Sequence, residues 1–247
     1  MATTSTTRRR AAKKTTPRKA AKKAVKKTTT KAAATGKKAV RATRSAAKKT
    51  APRKTTAKKT AKRTANDAVA VIKADHATVN ALFKRYRAAG KTAYKTKRSI
   101  ADRVVRELSI HAAVEEQVLY PAVRRSVPKG KRLVEEALSE HQQLKETLVV
   151  LDKLPADDER FDRTMRAAID ETRHHVREEE SSGGMLAQLR KSLDRDELVA
   201  MGKTLRLAKK AAPTRPHPHA PSTPPGNIVV GTAAAIVDKA RDAVRRR

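Results

Sequence analysis

The sequence predicts an all-α protein: an up-down-up-down four-helix bundle with a disordered basic N-terminal tail and a Pro-rich C-terminal extension. Three observations predict it. Apolar residues recur at helical spacing through four stretches of about 20 to 28 residues. Gly and Pro fall in the gaps between those stretches, where helices stop. The charge is also segregated: residues 1–64 hold 24 Lys or Arg and no acid, whereas residues 65–201 hold 25 basic and 23 acidic residues. The formal net charge of +34 therefore belongs to the ends, and the middle is nearly neutral.

The first 64 residues are almost entirely Lys, Arg, Ala, Thr, Ser and Pro, with Val25 and Val40 as the larger apolar side chains after Met1. Such a chain cannot bury enough surface to offset its conformational entropy, so it is expected to be disordered when free. It repeats imperfectly, "AAKKTTPRK" at 11–19 returning as "AAKKTAPRK" at 46–54. In composition it resembles the tails of linker histones and bacterial histone-like proteins. Its cations predict non-specific DNA binding by counterion release, and its lack of aromatics argues against base stacking.

From residue 65 the pattern becomes helical. The first stretch puts Val69, Ile72, His76, Val79 and Phe83 on one stripe and stops near Gly90. The second, over 94–122, aligns Ile100, Val104, Leu108, His111, Glu115 and Val118. The third, over 130–153, aligns Val134, Leu138, His141, Leu144, Leu148 and Leu151 and ends before Pro155. The fourth, over 158–181, aligns Phe161, Met165, Ala168, Thr172, His175 and Glu179, with "SSGG" at 181–184 as an expected kink. Amphipathic helices joined by short loops favour an up-down bundle over residues 65–192.

Each stripe carries one histidine at mid-length. Two of them, His111 and His175, are followed four residues later by Glu115 and Glu179, so each pair shares a helix face. Burying four imidazoles and two carboxylates is costly unless a cation compensates them. The chain has no Cys, so thiolate sites are excluded, and an imidazole–carboxylate set suits iron, manganese or zinc. The bland reading of any one of these residues is a hydrogen-bonded core histidine or a surface ion pair. Four in register make metal ligation the stronger reading for the set.

The order His76, His111-x-x-x-Glu115, His141, His175-x-x-x-Glu179 resembles the hemerythrin-like (HHE cation-binding) domain, as do the stretches "KADHATV", "HAAVEEQVLYPAV", "EHQQLKETL" and "HHVREEE". The resemblance covers about residues 66–192. A ferritin-like bundle uses Glu-x-x-His spacing instead. The resemblance implies a non-haem di-iron centre, two iron ions with zinc or manganese as substitutes. Glu115 and Glu179 would bridge, His76 and His111 would serve one iron, and His141 and His175 the other. It further implies an open metal position for O2, NO or peroxide. Oxygen-carrying members have a fifth histidine one turn after the third-helix ligand. Here that position is Lys145, so water or a neighbouring carboxylate (Glu116 or Glu178) is expected to fill in, and sensing, peroxide reaction or iron handling is favoured over oxygen carriage. His174 is expected to face a neighbour or solvent.

Beyond the bundle, residues 193–212 predict one more amphipathic helix. Residues 213–247 predict an extended Pro-rich linker, holding His217 and His219 as linker residues, and a short basic helix. No stretch approaches the roughly 20 apolar residues of a membrane span, so no stable membrane insertion is expected. A secretory signal is also not visible. The absence of Cys fits a reducing, cytoplasmic setting, nucleoid-associated in a bacterium. Three functions follow: a metal- or gas-binding protein tethered to DNA, an architectural histone-like protein with a structural head, or a di-iron peroxidase or oxidase protecting DNA. No electron-donor site is visible, which favours a binding protein over a dedicated enzyme. Deleting residues 1–64 is expected to abolish retention on a DNA column at about 0.1 M salt; unchanged retention would refute the tail assignment.

Overall fold

The computed structural model describes residues 66–245. The basic tail predicted over 1–64 lies outside the described residues. In chain order the helices are α1 (Ala68–Ala88), α2 (Tyr94–Val114), a π-helical turn (Glu115–Leu119), α3 (Tyr120–Ser126), α4 (Gly130–Lys153), α5 (Phe161–Glu180), α6 (Met185–Ser192), α7 (Arg195–Ala211) and α8 (Gly226–Arg245). None of the described helices is long and apolar enough to cross a membrane.

The bundle consists of α1, α2 with its continuation α3, α4 and α5, with α1 on α2, α2 on α4 and α4 on α5. Side chains close the ring from α5 back to α1, where the Tyr86 hydroxyl donates to Asp162 and Lys73 Nζ lies 2.9 Å from Glu180. Asp67 caps α1 by accepting from the Ala70 amide at 2.8 Å, and Arg190 of α6 holds that carboxylate at 2.9 Å. Asp194 and Glu197 form a reciprocal capping box that starts α7. The helix α7 lies across α1, α2 and the π turn, and α6 packs on α5 and α3.

The apolar core is split in two. One cluster gathers Phe83, Leu108, Leu148, Phe161, Met165 and Ile169, and the other gathers Ile72, Val114, Leu119, Val123, Val134 and Leu189. Along α1, α2 and α4 the change from one cluster to the other occurs near the histidine of that helix, while α5 serves the first cluster before its histidine and α6 serves the second after it. The predicted helices are present with three differences.

The second does not run unbroken over 94–122. It opens into a π turn, with the Tyr120 N–H donating to the Glu115 carbonyl, and continues to Ser126. Pro121 follows at once; it offers no N–H, and its ring would press on the carbonyl four residues back in a regular helix. The fourth helix ends outright at Glu180, and the Ser181–Gly184 turn starts α6.

The third difference concerns the Pro-rich stretch, which is a packed strap rather than a free linker. Residues 212–215 are buried, and the Thr214 and Arg215 amides each donate to Asp238 at 2.9 Å. The Arg215 guanidinium meets Asp242 at 2.7 Å. His217 contacts Asp238 at 3.1 Å, whereas His219 is exposed. Two acids on one side of α8 thus hold the strap down, and that helix begins at Gly226, well before the short segment predicted.

Gly202 sets how closely α7 approaches α1: a Cβ there would lie 2.3 Å from the Asn66 carbonyl oxygen and 2.8 Å from the Asp67 carbonyl carbon. Both are backbone atoms and cannot swing aside. Gly202→Ala is expected to cost roughly 1–3 kcal/mol, seen as a lowered melting temperature by circular dichroism. Gly90, with nothing within 4 Å of an added Cβ, is the control, and Gly90→Ala is expected to be neutral or slightly stabilising.

Candidate metal centre

The structure brings His76, His111, Glu115, His141, His175 and Glu179 together between the two apolar clusters, each 7% exposed or less. Each comes from the mid-length stripe of a bundle helix or, for Glu115, from the first residue of the π turn. The four imidazoles turn their Nε2 atoms toward the two carboxylates. His111 Nε2 is 3.2 Å and His141 Nε2 3.3 Å from Glu115 Oε2, with His175 Nε2 at 3.7 Å from the same oxygen. Glu179 faces both sides, at 3.5 Å from His76 Nε2 and 3.7 Å from His175 Nε2.

Two groups of donor atoms result, His76–His111–Glu115 and Glu115–His141–His175, each within 4.8 Å of one another. Glu115 belongs to both.

The outward nitrogens are served by a second set of acids. His76 Nδ1 meets Glu180 at 2.7 Å, His141 Nδ1 meets Glu116 at 3.0 Å, and His175 Nδ1 meets Glu140 at 2.8 Å. His111 Nδ1 lies 3.8 Å from Asp75, an ion-pair contact rather than a hydrogen bond. Every one of these acids sits on a different helix from its histidine: α1 serves α2, the π turn serves α4, α4 serves α5, and α5 serves α1. Each acid is backed in turn by a further nitrogen group. Lys73 lies 2.9 Å from Glu180, Lys145 2.7 Å from Glu116, and His174 3.1 Å from Glu140, while Lys209 pairs with Asp75. A carboxylate on Nδ1 fixes the tautomer and orients Nε2 as a donor, the arrangement that metal-bound histidines show.

The electrostatics within the centre are in conflict. Burial raises the Glu115 carboxyl, but the charge of His111 and hydrogen bonds from His141 and His175 outweigh it and hold Glu115 well below its usual range. Burial and the charge of Glu115 push Glu179 well above its own. Burial and the neighbouring His111 lower His76 to about 4. Several buried donors also lack a hydrogen bond: His76 Nε2, both nitrogens of His111, Glu115 Oε1 and both oxygens of Glu179. A dry site with this many unmet donor atoms is costly as it stands, and a cation among them satisfies them directly. The residues fit a bound metal, and with no thiolate they suit iron, manganese or zinc.

Two expectations resolve differently from the sequence reading. Glu116 is buried, but it serves His141 and Lys145 rather than filling the place of a fifth histidine, and Lys145 is held in that ion pair. Glu178 is exposed and makes no approach to the centre. Sequence reasoning missed Asp75, Glu140 and Tyr120. The Tyr120 side chain is buried, with its hydroxyl 3.1 Å from His141 Nε2 and 3.3 Å from Glu115 Oε2. Asp75 and Glu140 each immediately precede a ligand-stripe histidine, which was the available signal; each serves a histidine on another helix.

Comparison with known proteins agrees with this geometry. The model of the hemerythrin HHE cation-binding domain matches residues 67–182. A hemerythrin-like protein of Schizosaccharomyces pombe is 32% identical over 154 residues, covering 62% of this chain and 75% of that protein. The crystal structure of a hemerythrin HHE cation-binding domain-containing protein from Mycobacterium kansasii superposes with a TM-score of 0.51 at 22% identity, covering 58% of this chain and 85% of that one, a likeness of fold. An all-helical bundle with four inward imidazoles around two shared acids, and a relative this similar over most of its length, place the chain in the hemerythrin HHE cation-binding family.

Proposed function

We propose that the centre binds two metal ions, iron in preference to zinc or manganese, one held by His76, His111 and Glu115 and the other by Glu115, His141 and His175. Glu179 spans the pair. The single observation that supports this is the buried layer in which His76 Nε2, His111 Nε2, Glu115 Oε1 and both Glu179 oxygens are left without hydrogen bonds, with His141 and His175 turned to the same carboxylates. Iron held there would supply electron exchange and a site at which O2, NO or peroxide could bind.

The chain's own residues do the rest. Glu180, Asp75, Glu116 and Glu140 orient the imidazoles, and the two apolar clusters exclude bulk water. Lys145, tied to Glu116, leaves one metal with fewer nitrogen donors than an oxygen carrier offers, which favours sensing, peroxide reaction or iron handling. The basic arm over 1–64 would hold this module on duplex DNA through phosphate contacts.

Metal analysis after reconstitution with ferrous iron is expected to give about two ions per chain, and removing them to lower the melting temperature, because a ligand bound only by the folded state adds about 4 kcal/mol at a thousandfold excess over its Kd. Glu115→Ala is expected to lose both ions and His141→Ala about one, with helical content by circular dichroism unchanged. Metal content no higher in the wild type than in Glu115→Ala would overturn the proposal. Glu140→Gln, which keeps shape but removes the charge behind His175, is expected to weaken metal affinity by roughly 10-fold or more while leaving the stoichiometry intact.

A further inference from the structure

The outer side of α8 is unexplained by anything the metal centre needs. Among the described residues, five of the eight exposed large apolar side chains lie on this one helix: Ile228, Val229, Val230, Ile236 and Val237. Val229, Ile236 and Val237 are 69%, 72% and 62% exposed. At helical spacing they share one side with Ala233 and Ala240, opposite the buried Gly231, Ala235 and Asp238 that face the bundle. The helix is therefore held to the bundle by a side of small and acidic residues, and its apolar side is left uncovered.

Its charges are sorted to match. Both acids turn inward, Asp238 to the strap amides and Asp242 to Arg215 and Arg106. Lys239 and Arg241 are exposed beside the outer stripe, and the sequence continues after Val244 with three arginines. An outward face with valine and isoleucine at its middle, cations at its edge and no acid complements a surface that is apolar inside and anionic outside. A second copy would set like-charged edges against each other on chains that each carry +34. Nucleic acid would use the cations and leave the apolar stripe in water.

We propose that α8 is an interfacial anchor: its outer Val229–Ile236–Val237 stripe enters the headgroup boundary of an anionic lipid surface, with Lys239 and Arg241 at the lipid phosphates. The helix lies in the plane of the surface, as amphipathic helices with a basic edge do, and needs no membrane-spanning length. The basic N-terminal arm adds attraction to the same anionic surface but has almost no apolar side chain to insert; α8 supplies that part.

The test is flotation of the full chain with vesicles of phosphatidylglycerol and phosphatidylcholine, against vesicles of phosphatidylcholine alone. It is run at about 0.3 M salt, where attraction between exposed charges is screened within about 6 Å. The wild type is expected to float with the anionic vesicles only. The triple variant Val229→Gln, Ile236→Gln, Val237→Gln is expected to bind at least about tenfold less, with helical content and metal content unchanged, since all three side chains are outside the core.

Equal flotation of the triple variant overturns the proposal, because the arm alone then accounts for binding. So does a wild-type dimer that the triple variant converts to monomer with no flotation of either, which assigns the stripe to a second copy. A variant that loses DNA retention while its vesicle binding stays the same assigns the helix to nucleic acid and likewise overturns it.

Discussion

The arrangement on which the rest depends is the closed circuit of carboxylates around the four histidines. Each acid reaches from one element to the imidazole of the next, α1 to α2, the π turn to α4, α4 to α5 and α5 to α1, so no helix contributes a donor without being tied to a neighbour. Rotating any one helix by a single residue would move its histidine by about 100° and break two links at once. The apolar clusters on either side supply the burial energy of the bundle. The circuit specifies which of the many ways to pack four apolar stripes is adopted.

That specificity has an electrostatic cost, visible in the opposed behaviour of Glu115 and Glu179 and in the buried atoms left without hydrogen bonds. A core of leucines at the same positions would be more stable, as buried ionic groups generally are less favourable than well-packed apolar ones. Retaining six such groups in a layer with an apolar cluster on each side makes sense when a cation supplies what the protein does not. The outer cations act in the same direction: Lys73, Lys145 and Lys209 neutralise the orienting acids, so the negative charge at the heart of the layer is concentrated on Glu115.

Much of this was legible in the chain. The four helices could be read from apolar spacing, and the inward set from one histidine per stripe, because burial and period are properties of a single segment. The outer acids were not legible in the same way. Asp75 adjoins His76 in sequence yet serves His111, and Glu140 adjoins His141 yet serves His175; such pairings depend on helix rotation, which no single segment reveals. The π turn was hidden because a helical stripe continues through it, and Pro121 was the one local hint. Its wider turn lets Glu115 and Glu116, adjacent in sequence, both lie buried and reach opposite nitrogens of His141. The strap was misread for a compositional reason: proline predicts that the helix stops, which it does, but says nothing about whether Asp238 waits on a later helix to accept from the strap's amides.

The strap also makes the centre two-sided. On the flank of Glu116 and Lys145 it leaves a cavity of only about 40 Å³, walled by Pro213, His217 and Pro221. On the opposite flank, between α1 and α5, a cavity of about 420 Å³ opens onto His76, Lys73 and Glu180. His141 is 1% exposed and His76 7%. The polar layer is thus open at an imidazole itself on the His76 flank, whereas on the strap's flank only Glu116 and Lys145 line the narrow space and the His141 ring lies behind a proline-lined wall.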